Sequence, residues 1–243
     1  MSGHSKWSQI KRQKGAADVK RGAVFSKLTN AIIVAAKSGG DASTNFNLKM
    51  AMEKAHAGNM PKENIQRAIK RGTGELGGAM VEEAVYEIIG PQNIGIICEA
   101  ATDNKNRTTG EIKNVIAKFG GKLASTGAVA YQFNKMGKVL VDSANPPAGG
   151  KEELELAVID AGAEDFTEID ETLAVYTKPN ELEKMKKTLE SQGLVIKEAG
   201  LGWEPKNMVI ISDQAVADKI VRLMEALDNL DDVTAVAGNF DLV

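Results

Sequence analysis

Eighteen residues near the start of the chain, HSKWSQIKRQKGAADVKR, place His4, Lys6, Lys11, Arg12, Lys14, Lys20 and Arg21 around a single indole, Trp7. Ammonium and guanidinium groups neutralise phosphates and release their counterions, and an indole stacks on an exposed base. An indole is equally suited to plugging a helical core, so Trp7 has two readings. A second polar group, Asp103 to Thr109, lies between a strand-like and a helix-like segment. Within it Asn104, Lys105, Asn106 and Arg107 suit phosphate, and a following helix would add free N–H groups. The same residues would equally serve as an ordinary helix cap.

Other constellations point away from catalysis. GTGELG at 72–77 has the letters of a dinucleotide fingerprint, but a helical segment precedes it instead of a strand, which makes it a hinge. The two histidines, His4 and His56, have no cysteine or carboxylate at ligand spacing, so no metal site is expected. Cys98 sits among Ile96, Ile97 and Ala100, where a buried apolar role outweighs a nucleophilic one. Residues 152–171 hold nine acids and no base, without the spacing of a calcium loop, and read as a solvated face. No triad or carboxylate dyad appears, so neither enzyme activity, a cofactor nor a small-molecule substrate is expected.

The formal charge of −3 conceals a division along the chain. Residues 1–72 hold 14 lysines and arginines against four acids, a net +10, whereas the remainder carries −13 from 16 bases and 29 acids. Such asymmetry points to a polyanion-binding segment joined to acidic units. The partner expected is nucleic acid, either DNA or ribosomal RNA on the ribosome. Apolar residues at 43% and charged residues at 26% of 243 exclude wholesale disorder. The longest aliphatic run, Ala31 to Ala36, is far too short to span a membrane, and the polar N-terminus lacks a secretory core. The single cysteine agrees with a reducing, cytoplasmic setting.

Periodicity organises the positions of these groups. Phe25, Leu28, Ile32, Ala35 and Ala36 recur at helical spacing within residues 18–38, and Gly39-Gly40 stops that helix. A second helix is predicted over 47–57 and a third from Pro61, with Ile65, Ala68 and Ile69 inward and Arg67, Lys70 and Arg71 outward. Strands are predicted at 84–89 and 94–101 and a helix at 109–119. The fold class is therefore α+β: an N-terminal three-helix bundle over 1–79 and two ferredoxin-like α/β units, the second inserted into the first. The discontinuous unit takes 80–131 and 206–243, with a helix near 214–227. The acidic inserted unit takes 132–205, with helices near 152–161 and 181–192.

Five separated motifs, GHSKW at 3–7, KRG at 20–22, FSKL at 25–28, NMPKENIQRAIKRGTG at 59–74 and TDNKNRT at 102–108, resemble the YebC/PmpR family over essentially the whole length. The resemblance implies a helical domain followed by two α/β domains, a bacterial or organellar setting and no known catalysis. It also implies a DNA-binding transcriptional regulator, although some members, including a mitochondrial activator of cytochrome oxidase subunit I synthesis, act on translation through RNA or the ribosome. Its basic positions correspond here to Lys6, Lys11, Lys20, Arg21, Lys27, Lys62, Arg67, Lys70 and Arg71, and its polar loop to Asp103–Thr108. The family's YEGYGP turn stands here as YEIIGP at 86–91.

Overall fold

The computed structural model describes residues 21–77, 80–144, 146, 149–169 and 171–243. The chain divides into two compact bodies, one spanning 134–204 and the other built from the segments on either side of it.

In the larger body three helices come first: α1 (Arg21–Ala36), α2 (Phe46–Ala57) and α3 (Lys62–Gly72). Leu28, Ile32, Ile33 and Ala36 of α1 meet Leu48 and Ala55 of α2 and Ile65, Ala68 and Ile69 of α3 in one apolar cluster. Burial of these stripes, more than helix propensity, stabilises elements this short. Asn45 joins two helix ends: its Oδ1 accepts from the Leu48 amide and its Nδ2 donates to the carbonyls of Ala35 and Gly39 at 2.8 and 2.7 Å. One nearly buried amide thus caps the start of α2 and satisfies orphan carbonyls at the end of α1. At Gly72 the backbone of α3 passes so close to α1 that a Cβ would lie 2.4 Å from the Ile33 carbonyl. The first glycine of GTGELG therefore closes a helix crossing, and Gly74 and Gly77 follow with positive φ in the turn that leads to a strand.

The sheet of this body opens with a hairpin, β1 (Glu82–Ile89) and β2 (Gly95–Thr102), in unbroken antiparallel register from Glu82↔Thr102 to Ile89↔Gly95. Helix α4 (Lys105–Lys118) leads to the short β3 (Lys122–Leu123) beside β1. The chain leaves along β4 (Phe133–Asp142) and re-enters along β7 (Ile196–Pro205), and the Lys206 amide donates to the Gln132 carbonyl where the two crossings lie side by side. The last segment adds β8 (Val209–Ile211), α7 (Gln214–Asp228), β9 (Val233–Gly238) and β10 (Phe240–Leu242). The strand order is β3-β1-β2-β9, with β8 and β10 as a separate parallel pair. This is the spatial order of a ferredoxin-like sheet, reached by a permuted path: the two central strands are joined directly as a hairpin, and each edge strand follows a helix.

One face of that hairpin, with Ile88, Ile96 and Cys98, packs against Ile112 and Ile116 of α4 and Ile220, Leu223, Met224 and Leu227 of α7. Burial pushes the Cys98 thiol up to about 12, which removes it from nucleophilic chemistry at neutral pH. At its far end the hairpin supplies Ala101, which with Val81 completes the apolar cluster of the three helices. The bundle is thereby seated on the sheet.

The 134–204 body begins with β4 and ends with β7, and between them it adds α5 (Gly150–Asp160), β5 (Asp165–Ile169), β6 (Thr172–Thr177) and α6 (Leu182–Ser191). The order β5-β6-β4-β7 with strand-helix-strand-strand-helix-strand connectivity is ferredoxin-like in both respects. Leu154 and Val158 on α5, Leu182, Met185 and Leu189 on α6, and Val139, Val141, Leu173 and Val175 on the strands are all buried.

Helix α4 starts at Lys105, four residues before the expected Thr109. Its first turn is wholly polar, so apolar periodicity does not reveal it; the cap, Asn104, whose Oδ1 accepts from the Arg107 amide at 3.1 Å, does.

On the β1 face opposite the α4 core, the carboxylate of Glu87, 5% exposed, accepts backbone N–H bonds from Gly127, Val129 and Ala130 at 2.5, 2.6 and 2.7 Å. Burial alone would raise this carboxyl, but the three amides hold it below the ordinary glutamate value of 4.5. The stabilisation is complete above the ordinary value and is lost as pH falls through the lower folded value. Glu87→Gln replaces one acceptor oxygen with a donor, so it is expected to cost about 1–3 kcal/mol at pH 7. Amide hydrogen exchange at Gly127, Val129 and Ala130 should accelerate in the variant, and the difference should narrow as the pH is lowered below 4.5.

Candidate nucleic-acid interface

Of the residues expected to bind phosphate, Lys6, Trp7, Lys11, Arg12, Lys14 and Lys20 lie outside the described residues, and Arg21 is the first residue of α1. The others divide by partner. Lys62, Arg67 and Lys70 on α3 are exposed and make no ion pair with a described residue. Opposite them Ile65, Ala68 and Ile69 are buried, so the 3.6-residue period alone drives the cations outward. Lys62, Gln66 and Lys70 fall at four-residue steps on one stripe, with Arg67 and Arg71 on the next. Glu63 in the first turn and Lys70 and Arg71 in the last also suit the helix dipole.

The remaining cations are held by carboxylates of the later segments. Lys27 of α1 donates to the Asp228 carbonyl at the end of α7, and its Nζ lies 3.5 Å from the Asp228 carboxylate. There it satisfies an orphan carbonyl at a helix C-terminus. Lys105 pairs with Glu82 at 2.6 Å, and each holds the other in its charged form. Asp103 lies between two guanidiniums, 3.5 Å from Arg71 and 3.2 Å from Arg107. Asn104 caps α4, and Asn106 is exposed.

Arg107 reaches further, to Asp232 at 2.7 Å. The Asp232 side chain is 10% exposed, and its Oδ2 also accepts from the hydroxyls of Thr102 and Thr108 at 3.0 and 2.6 Å. The Thr102 hydroxyl also accepts from the Asn104 amide and lies 2.8 Å from the Thr108 hydroxyl, so the end of β2, the cap of α4 and the residue before β9 share one network. Burial pushes the Asp232 carboxyl up, but bonds from Thr108, Arg107 and Thr102, with the Arg107 charge, outweigh it and hold the carboxyl below the usual 3.8. Nothing local in the sequence announces Asp232, which lies 125 residues from Arg107; only a paired acid, Asp231-Asp232, ahead of a strand-like run hints at it.

Beside this network a cleft of about 570 Å³ opens between α1 and the sheet. It is lined by Phe25, Ser26, Thr29 and Asn30 of α1, Arg71 in the last turn of α3, Arg107 and Glu111 of α4, and Asp231 and Asp232 before β9. Asn30 Nδ2 donates to the Ala101 carbonyl at 3.1 Å and fixes α1 at that wall. His56 is exposed on α2, and no group of three or more metal-ligating side chains occurs among the described residues. In the acidic 152–171 stretch Glu152, Glu153 and Glu155 are exposed on α5, and Glu168 pairs with Lys151. No helix among the described residues is long and apolar enough to cross a membrane.

The bundle seated on an interrupted sheet matches known proteins. Residues 5–75 match the model of the TACO1/YebC protein N-terminal domain, and residues 81–240 match that of the TACO1/YebC second and third domain. The chain belongs to the TACO1/YebC family. It is 46% identical over 243 residues to a "Probable transcriptional regulatory protein" of Thermoanaerobacter pseudethanolicus, covering all of this chain and 98% of that one. A protein of the same name from Moorella thermoacetica is 47% identical over 245 residues, with 100% and 96% covered. The crystal structure of a conserved hypothetical protein from Aquifex aeolicus superimposes with a TM-score of 0.86 at 41% identity, over 93% of this chain and 92% of that one.

For this TACO1/YebC protein the Asp232 network predicts an acid-sensitive junction. Its contribution is complete above the ordinary aspartate value of 3.8 and is lost as pH falls through the lower folded value. Asp232→Asn and Thr108→Val are each expected to cost about 1–3 kcal/mol at pH 7. Urea unfolding of the two variants checks this, and the Asp232→Asn deficit should shrink toward pH 3 while that of Thr108→Val, which removes a donor to the same carboxylate, shrinks with it.

Proposed function

We propose that this protein is a non-enzymatic regulator of gene expression that holds nucleic acid through the exposed ridge of α3, and that its polymer is DNA and its level of action transcription. The observation that carries the reading is the contrast among its cations. Lys27, Lys105 and Arg107 are engaged by the protein's own carboxylates or carbonyls, and Arg71 shares Asp103, whereas Lys62, Arg67 and Lys70 stand on one helix without such partners. Cations without an ion-pair partner among the described residues, along about 12 Å of helix rise, suit a polyanion in place of an internal partner. The basic residues Lys6, Lys11, Arg12, Lys14, Lys20 and Arg21, with Trp7, extend the same positive charge along the chain, and Asn104 and Asn106 add polar groups at the start of α4. The names of the relatives supply the choice of transcription.

The ridge is better suited to phosphates than to base edges. Gln66 is the one exposed amide on α3, with Asn64 half-buried, so sequence reading from α3 alone is meagre. That favours, as the second reading, recognition of RNA shape on the ribosome.

Binding measured from 50 to 200 mM salt tests the ridge. Replacing Lys62, Arg67 and Lys70 together with Gln should weaken binding about tenfold or more at the lower salt and flatten the log–log salt slope by about 3. Thermal stability should stay unchanged, because the three side chains are exposed. Equal affinity and slope in the variant would exclude the ridge as the phosphate contact. Crosslinking in cells, with sequencing of attached DNA and attached RNA, separates the two polymers.

A further inference from the structure

The phosphate ridge leaves the cleft beside it without a purpose. Two guanidiniums, Arg71 and Arg107, line it against the carboxylates of Glu111, Asp231 and Asp232, and Asp103 sits against both arginines. Among the described residues carboxylates therefore outnumber cations here, which repels a phosphate and favours a neutral ligand with N–H donors. Glu111 and Asp231 have no hydrogen bond or ion pair with another described residue, so both retain their full capacity as acceptors. Phe25 adds an aromatic surface, and the Arg71 and Arg107 guanidiniums are planar groups on which a ring can stack. The volume of about 570 Å³ is that of a small-molecule site, ample for a heterocycle and its sugar. Arg71 stands one turn after Arg67 on the same stripe of α3, so the ridge runs into the cleft.

We infer that the cleft receives an unpaired nucleobase bearing an exocyclic amino group, cytosine, adenine or guanine, from a strand whose phosphates lie along α3. The amino N–H groups donate to Glu111 and Asp231, as acidic side chains accept from cytosine N4 elsewhere in nucleic-acid recognition. The ring stacks on Phe25 or a guanidinium. Thymine and uracil offer carbonyl oxygens where the others offer amino groups, and these oxygens face carboxylates unfavourably. A duplex offers one N–H of such a group in its grooves, whereas a single strand, a loop or an extruded nucleotide frees both N–H groups and the ring face together. The inference rests on the reading of α3 as the phosphate contact.

Fluorescence anisotropy of the full chain at pH 7.5 and 50 mM salt, with labelled oligonucleotides of equal length, tests it. Oligo(dC) is expected to bind about tenfold more tightly than oligo(dT), and oligo(rC) more tightly than oligo(rU). The double substitution Glu111→Gln with Asp231→Asn should bring the ratio to about one; any gain from removing negative charge would raise both members of a pair alike. Thermal melting of the variant verifies its fold, and each single substitution should lower the ratio partway. Equal affinity for the two members of both pairs, or a preference that survives the double substitution, overturns the base pocket. The ridge reading then stands if binding still falls when Lys62, Arg67 and Lys70 are replaced. If that replacement changes nothing, the ridge fails and the pocket with it. A preference in one pair only identifies the sugar of the ligand.

Discussion

One nearly buried carboxylate, that of Asp232, holds together the region on which the proposed interface stands. Desolvating an anion is costly, and here two threonine hydroxyls and a guanidinium offset the cost through charge-assisted bonds. The same contacts fasten the end of β2, the cap of α4 and the approach to β9 to one another. From Arg107 the chain of charges continues through Asp103 to Arg71, at the end of α3. The orientation of the cationic helix is thus coupled to a polar junction in the sheet, in addition to the apolar seat formed by Ala101 and Val81.

The net charge of the first 72 residues is therefore a poor guide to what any single cation does. Lys27 stabilises the end of a helix that follows it by some two hundred residues, and Arg107 belongs to an internal network. Arg71 stands between the two classes, paired with Asp103 at the longer separation of 3.5 Å and 38% exposed. Exposed pairs of this kind contribute little to stability and exchange readily for a stronger anion. Among the described residues Lys62, Arg67 and Lys70 of α3 have no such partner, while carboxylates line the cleft beside that helix. On the reading proposed above, that juxtaposition would sort a nucleotide into its parts, with phosphate favoured on the ridge and the neutral base favoured among the acids.

The interruption of the discontinuous sheet is accommodated without loss of its backbone pairing. The crossing segments run together at Gln132 and Lys206, and Gln132 Oε1 accepts from Asn239 Nδ2, whose partner atom Oδ1 accepts from the Gly95 amide. Glu87 secures the adjoining loop at Gly127, Val129 and Ala130. Buried polar groups at the base of an insertion are costly unless satisfied, and here Asn239 and Glu87 are each met by a defined partner.

The sequence alone determined most of the elements and the expectation of a polyanionic partner. Ile65, Ala68 and Ile69 recur at helical spacing and so dictate that Lys62, Arg67 and Lys70 face outward, and a +10 segment ahead of acidic units points to a polyanion in any compact arrangement. Local patterns carry that information because periodicity and charge are properties of neighbouring residues. The pairing of individual cations, the permuted path of the first sheet and the cleft between α1 and α4 were decided only by tertiary structure. Asp232 and Arg107, or Lys27 and Asp228, are brought into contact by strand order and helix packing across more than a hundred residues, and no spacing along the chain encodes which carboxylate meets which base.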